Sequence, residues 1–239
     1  MNDLLVELVG IIEGINADGV INEKEIQKLK SWLENSIQFR HEPSFSEIIT
    51  KLIDILDDGI ITDDERMILI DFVDKYHLSN NSVNNSLTVL NGIIEGIVCD
   101  EEINEQEIKH LFQWQEKHSD LKGIDLYDRI HNLINNILGD GIITSEEQEE
   151  LYSVLNNHII EAKKELKIDY LKKMVINGEN IGNELISLLD DNEIVQLIHT
   201  RAKYEMRLAL ESYSGIGTIN EQIVFISLVL IAIFCYNGN

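Results

Sequence analysis

Four carboxylate pairs stand out first in this sequence. Asp18, Asp58, Asp100 and Asp140 are each followed seven positions on by a glutamate: Glu25, Glu65, Glu107 and Glu147. Between them the pattern is constant: glycine or glutamate, any residue, isoleucine, then three more residues. An oxygen-rich loop closed by a glutamate is the chemistry of a hard divalent cation, calcium or magnesium. The spacing matches the second half of an EF-hand loop, with Gly59 at its sixth position and Glu65 at its twelfth. The first half does not follow. The first and third positions would be Gly14 and Asn16, Asp54 and Leu56, Gly96 and Val98, and Asn136 and Leu138, which lack the early oxygen ligands of a calcium site. The expectation is therefore no ordinary EF-hand. What remains is a weaker cation site at Asp18, Glu25, Asp58, Glu65, Asp140 and Glu147, helped by Glu13, Glu95 or a neighbouring loop. The third loop, where Glu101 replaces the turn glycine, is expected to be the least competent.

The same residues have a structural explanation. Asn22, Thr62, Asn104 and Thr144 precede the glutamates by three positions, the spacing of a capping box, in which threonine is expected to fit better than asparagine. Gly19, Gly59 and Gly141 supply the positive φ that a tight turn after an acid needs. Ile21, Ile61, Ile103 and Ile143 are single apolar residues that would dock into a core or meet across facing loops.

The elements that must position these loops come from an internal duplication. Gly10-Ile-Ile-Glu-Gly-Ile15 recurs unchanged as Gly92-Ile-Ile-Glu-Gly-Ile97, an offset of 82. The offset carries Trp32 onto Trp114, Phe45 onto Tyr127, Leu56 onto Leu138, Asp58 onto Asp140 and Leu69 onto Leu151 with no gap. Each repeat holds two helix–loop–helix units. Apolar residues at helical spacing mark four helices: Leu4 to Ile15, Ile26 to Leu33, Ile48 to Leu56 and Ile68 to Val73. The predicted fold is all-α: two tandem four-helix modules, at residues 1–78 and 87–158, and a C-terminal helical region at 159–239. Ser79–Ser86 is read as a polar linker. Helical runs are predicted near 160–175, 183–189, 191–212 and 219–236. Trp32 and Trp114, at equivalent positions, are expected to be core anchors.

"GIIEGINADGVINEKEIQKLKSWL" followed by "ILDDGIITDDER" resembles the TerB-like tellurite-resistance helical domains. It is also similar to helical modules found beside BRCT domains in bacterial and mobile-element proteins. The resemblance covers both repeats, about two-thirds of the chain. It implies small helical bundles with acidic, metal-associated loops, in a stress or phage-resistance setting, with Asp18, Asp58, Asp140 and their partner glutamates as metal candidates.

Charge narrows the partners. Of a formal net charge of −24, residues 1–158 carry −21 and residues 159–239 carry −3. Such a field disfavours direct contact with nucleic acid or an anionic membrane and favours cations or a basic protein. Two cysteines, Cys99 and Cys235, fit a reducing cytoplasm. Met1-Asn2-Asp3 opens with an acid rather than a basic segment, so no signal peptide is expected. The longest apolar run, Ile223–Tyr236, has 14 residues, short of the about 20 a membrane helix needs, so a buried core helix is expected.

The histidines form no zinc motif and read as scattered over the surface. No phosphate loop, nucleophile elbow or Cys–His motif occurs. The cationic stretch His199–Arg207 reads as a solvated helix face. The expectation is a non-catalytic, cytoplasmic interaction module with a protein partner of basic character. The alternatives are a divalent-cation-binding TerB-like protein and a DNA mimic.

Overall fold

The computed structural model describes residues 2–79, 83–177 and 191–213. All the regular structure among them is helical: α1 Asn2–Ile15, α2 Glu23–Ser36, α3 Pro43–Ile55, α4 Asp63–Ser79, α5 Val83–Val98, α6 Glu105–Lys117, α7 Asp125–Ile137, α8 Ser145–Asn177 and α9 Asp191–Tyr213. Short 3-10 turns, Ile37–Phe39 and Ser119–Leu121, link α2 to α3 and α6 to α7.

Apolar spacing explains the helices. In α3 one stripe, Phe45, Ile48, Ile49, Leu52 and Ile55, is buried, with Pro43 in the first turn where no N–H is missed. In α7 the stripe is Tyr127, Ile130, Ile134 and Ile137. Tyr127 Oη donates to Gln115 O (2.6 Å) and Gln115 Nε2 donates to Tyr127 O (3.1 Å), so the buried polar groups join α6 to α7. Trp32 and Trp114 are buried, 5% and 4% exposed, as core anchors should be.

The chain divides into two compact units, residues 1–160 and 161–239. Both repeats lie in the first, and their side chains merge into one buried cluster. The join is the repeated GIIEGI segment. A Cβ added at Gly10 would stand 2.1 Å from Val89 O and 2.8 Å from Gly92 Cα, and one added at Gly14 would stand 2.9 Å from Gly96 Cα. Gly92 and Gly96 return these contacts to Glu7, Gly10, Ile11 and Gly14. Each residue thus meets its own counterpart 82 positions on, which is the signature of a two-fold axis between α1 and α5. Only glycine lets two helix backbones approach this closely.

Two readings of the sequence change. The polar stretch at 79–86 is not all linker, since α4 runs through Ser79 and α5 begins at Val83. Polar residues are accommodated there because the first turn of a helix has N–H groups to satisfy. The last helix of the second repeat and the run near 160–175 are one helix, α8. In the second unit Leu171 is buried, and Lys164 Nζ pairs with Glu193 Oε1 at 2.9 Å. The predicted runs at 183–189 and 219–236, with Ile223–Tyr236, lie outside the described residues. Among the described residues no helix is long and apolar enough to cross a membrane.

Candidate functional site: two acidic loops clasped about the two-fold

Each of the four loops builds itself in the same way. The aspartate turns its Oδ1 onto the backbone N–H two residues on: Asp18 to Val20 (2.9 Å), Asp58 to Ile60 (2.9 Å), Asp100 to Glu102 (3.1 Å) and Asp140 to Ile142 (2.9 Å). Gly19, Gly59 and Gly141 then take φ of +81°, +78° and +76°. The following helix starts with a capping box. The glutamate accepts from the cap backbone N–H, at 2.6 Å for Asn22–Glu25, 2.7 Å for Asn104–Glu107 and 2.8 Å for both Thr62–Glu65 and Thr144–Glu147.

The caps differ in quality, against the expectation from spacing. Asn22 Oδ1 accepts from both Lys24 N (2.9 Å) and Glu25 N (3.1 Å), and Asn104 does the same for Gln106 N and Glu107 N. Thr62 and Thr144 Oγ1 each accept one N–H, at 3.3 Å. The asparagine side chain is longer and reaches both amides. Its Nδ2 is left to donate elsewhere.

That second donor makes the site. Asn22 Nδ2 donates to Asp100 Oδ2 (2.9 Å), and Asn104 Nδ2 donates to Asp18 Oδ2 (3.0 Å). The first and third loops therefore clasp each other reciprocally over the end of the α1–α5 seam. Glu25 and Glu107 lie beneath, 2% and 3% exposed. Burial pushes the Glu25 carboxyl up to about 7, against the cap hydrogen bond, with the Asp100 and Asp18 charges adding to the rise. Burial likewise pushes Glu107 up to about 8. Two carboxyls that take up a proton near neutrality thus sit under two charged aspartates.

The third loop, expected to be the weakest, is half of this site. Glu101 stands where the first loop has Gly19 and takes a left-handed φ of +74°, a strained conformation for a residue with a Cβ. Lys24 holds it there, with Nζ donating to Asp100 O (2.7 Å) and to Glu101 Oε2 (3.0 Å). The Glu101 carboxylate in turn raises the Lys24 ammonium above its ordinary range.

Of the candidates from the sequence, Asp18 and Glu25 come together with Asp100 and Glu107 of the other repeat. Asp58 with Glu65, and Asp140 with Glu147, each remain within their own loop, with both aspartates exposed. Among the described residues no three of His, Cys, Asp and Glu stand together in metal-ligating geometry. Asn22 and Asn104 were legible as caps but not as the cross-links. The available signal was that the 82-residue offset pairs each cap with the other repeat's aspartate once the seam is two-fold.

The histidines are not all on the surface. His118 stacks on Trp114 (3.8 Å between centroids), and His131 stacks on Phe112 and Tyr127 (5.7 and 5.6 Å). A ring nitrogen of His158 lies 2.8 Å from Asn91 Oδ1. Burial lowers His110 and pushes the Cys99 thiol up to about 12. The cationic stretch lies on α9, where Arg201 pairs with Glu205 and lies over the Tyr204 ring. Compared with family models, curated proteins and solved structures, the chain matches none.

Proposed function

We propose that this chain is a non-catalytic acidic interaction module that receives a basic protein at the α3–α4 corner of its first repeat. The supporting observation is a difference between the repeats. That corner exposes Asp54, Asp57, Asp58, Asp63 and Asp64. Among them stand the apolar side chains of Ile53, Ile60 and Met67, 44%, 65% and 57% exposed. The counterparts in the second repeat are Asn136, Gly139, Asp140, Ser145 and Glu146, with Asn135, Ile142 and Glu149. Apolar anchors within a charged rim are the composition of a protein interface, and the −21 field of the repeats would steer a cationic partner to it.

The test is affinity capture from a lysate of the source organism at low and high salt. A partner of basic composition that elutes as salt rises is expected. It should be lost when Asp57, Asp58, Asp63 and Asp64 are changed together to Asn, and kept when Asp140→Asn and Glu146→Gln are made at the other corner. Equal retention by both variants would contradict the reading.

A further inference from the structure

The long helix α8 outruns the duplication. Its counterpart α4 stops at Ser79, which the 82-residue offset places on Glu161, whereas α8 continues to Asn177. In that extension Lys163, Leu166, Tyr170 and Lys173 follow one another at spacings of three, four and three, so they form a single stripe along the helix. All four are exposed, Leu166 at 72% and Tyr170 at 59%. The acids of the extension, Glu161, Glu165 and Asp169, recur at spacings of four on a different side. Leu171 is buried and Lys164 pairs with Glu193 of α9, so the helix packs on yet another side and the stripe faces outward. Two apolar side chains between two lysines are the complement of the α3–α4 corner, where Ile53, Ile60 and Met67 stand exposed among aspartates. Neither surface is repeated: the corner's counterpart holds Asn135, Asn136 and Gly139, and α4 ends where the stripe would begin.

We propose that the α8 stripe docks on the α3–α4 corner of a second copy of this chain. The inference rests on the reading of that corner as a protein-docking surface and names a further occupant for it. Leu166 and Tyr170 supply the apolar anchors, an exposed tyrosine being a common centre of such contacts, and Lys163 and Lys173 meet the aspartate rim. An anionic membrane is a poorer occupant of the stripe, because the −24 charge of the whole chain opposes its approach. The two docking surfaces differ, so the contact runs head to tail from one copy to the next. A basic partner and a second copy then compete for one corner, and self-association sets how much of the chain is open to that partner.

The test is sedimentation velocity of the full chain over a concentration series, with melting curves to confirm that each variant is folded. Self-association with a dissociation constant of about 10–100 μM is expected, as suits a small, charge-rich contact. Leu166→Ser, at an exposed side chain, should weaken it about tenfold. Lys163→Glu with Lys173→Glu in one chain, and Asp54→Lys with Asp57→Lys in another, should each weaken it about tenfold or more. The corner substitutions lie at the C-terminal end of α3, where added cations suit the helix dipole. Mixing the two charge variants should restore association as 1:1 complexes, because the intact stripe of the second meets the intact corner of the first. A monomer at every concentration, unchanged association in Leu166→Ser, or a mixture that associates no more than its components would each overturn the proposal. A chain that stays monomeric yet captures a basic partner through the corner overturns this inference and leaves the reading of the corner intact; self-association without such capture does the reverse.

Discussion

The inner and outer halves of each repeat share one loop pattern and use it differently. The inner loops, before α2 and α6, face each other across the two-fold. Their aspartates are engaged by the other repeat's asparagines, and their glutamates are buried. The outer loops, before α4 and α8, close on threonine and face solvent. The difference comes down to one side chain. Asparagine caps with its oxygen and still has an amide to donate, whereas threonine, once its hydroxyl is used within the box, has nothing left to give. A pattern that reads as four similar loops, the third the weakest, forms one inter-repeat clasp and two open corners.

The largest effect expected is at the seam beneath the clasp. Gly14→Ala puts a Cβ 2.4 Å from Ile93 O and 2.9 Å from Gly96 Cα, backbone atoms that cannot turn aside. It should cost about 3 kcal/mol or more in denaturant unfolding, and a Gly→Ala change at Gly141 should cost less, through its positive φ alone.

Next comes a pH dependence confined to the inner loops. Glu25 and Glu107 have folded values raised to about 7 and about 8 from 4.5. From pH 4.5 to those values the folded chain holds protons that the unfolded chain has released. Stability from these groups is therefore complete at the acid end and falls as pH rises through the window. The loss amounts to about 3 kcal/mol for Glu25 and about 5 kcal/mol for Glu107 by the alkaline end. Glu25→Gln with Glu107→Gln, which keeps the cap acceptors, should flatten the melting temperature between pH 5 and 8, whereas Glu65→Gln with Glu147→Gln should leave the slope in place.

The caps come third. Asn22→Ala and Asn104→Ala remove a cap and a cross-link and leave an aspartate without its donor, so each should cost about 2 kcal/mol. Thr62→Ala and Thr144→Ala remove a cap alone and should cost about 1 kcal/mol. Equal losses at all four would erase the distinction between halves. The smallest effect has the opposite sign. Glu101→Gly relieves the left-handed φ of +74° at the loss of an exposed ion pair with Lys24, and should stabilise by about 1 kcal/mol.

The all-α class was legible because apolar spacing in α1, α3 and α7 is helical and most of the residues it marks are buried, with Ile53 on α3 an exception at 44% exposed. The loops were legible too, down to Glu25 and Glu107 as capping partners. The identity of Gly10, Gly14, Gly92 and Gly96 was visible as a repeat but not as a seam, because a glycine in a helix announces close approach only once its neighbour is known. Glu101 misled for a related reason: judged within its loop it is a defect, while Lys24 of the other repeat makes it tenable. The acidic patch at α3–α4 and the basic stripe of α8 were hidden because each is a departure from the duplication. Their meaning lies in comparing Asp57 with Gly139 across one axis, and in finding that α8 continues past Glu161 where α4 stops at Ser79.

The clasp itself is tested most directly by a double-mutant cycle between Asn22 and Asp100, 78 residues apart in sequence and 2.9 Å apart in space. Asn22→Ala, Asp100→Ala and the pair are unfolded in denaturant. A coupling of about 1 kcal/mol or more is expected, with none between Thr62 and Asp140. Additivity at Asn22 and Asp100 within about 0.3–0.5 kcal/mol would contradict the clasp.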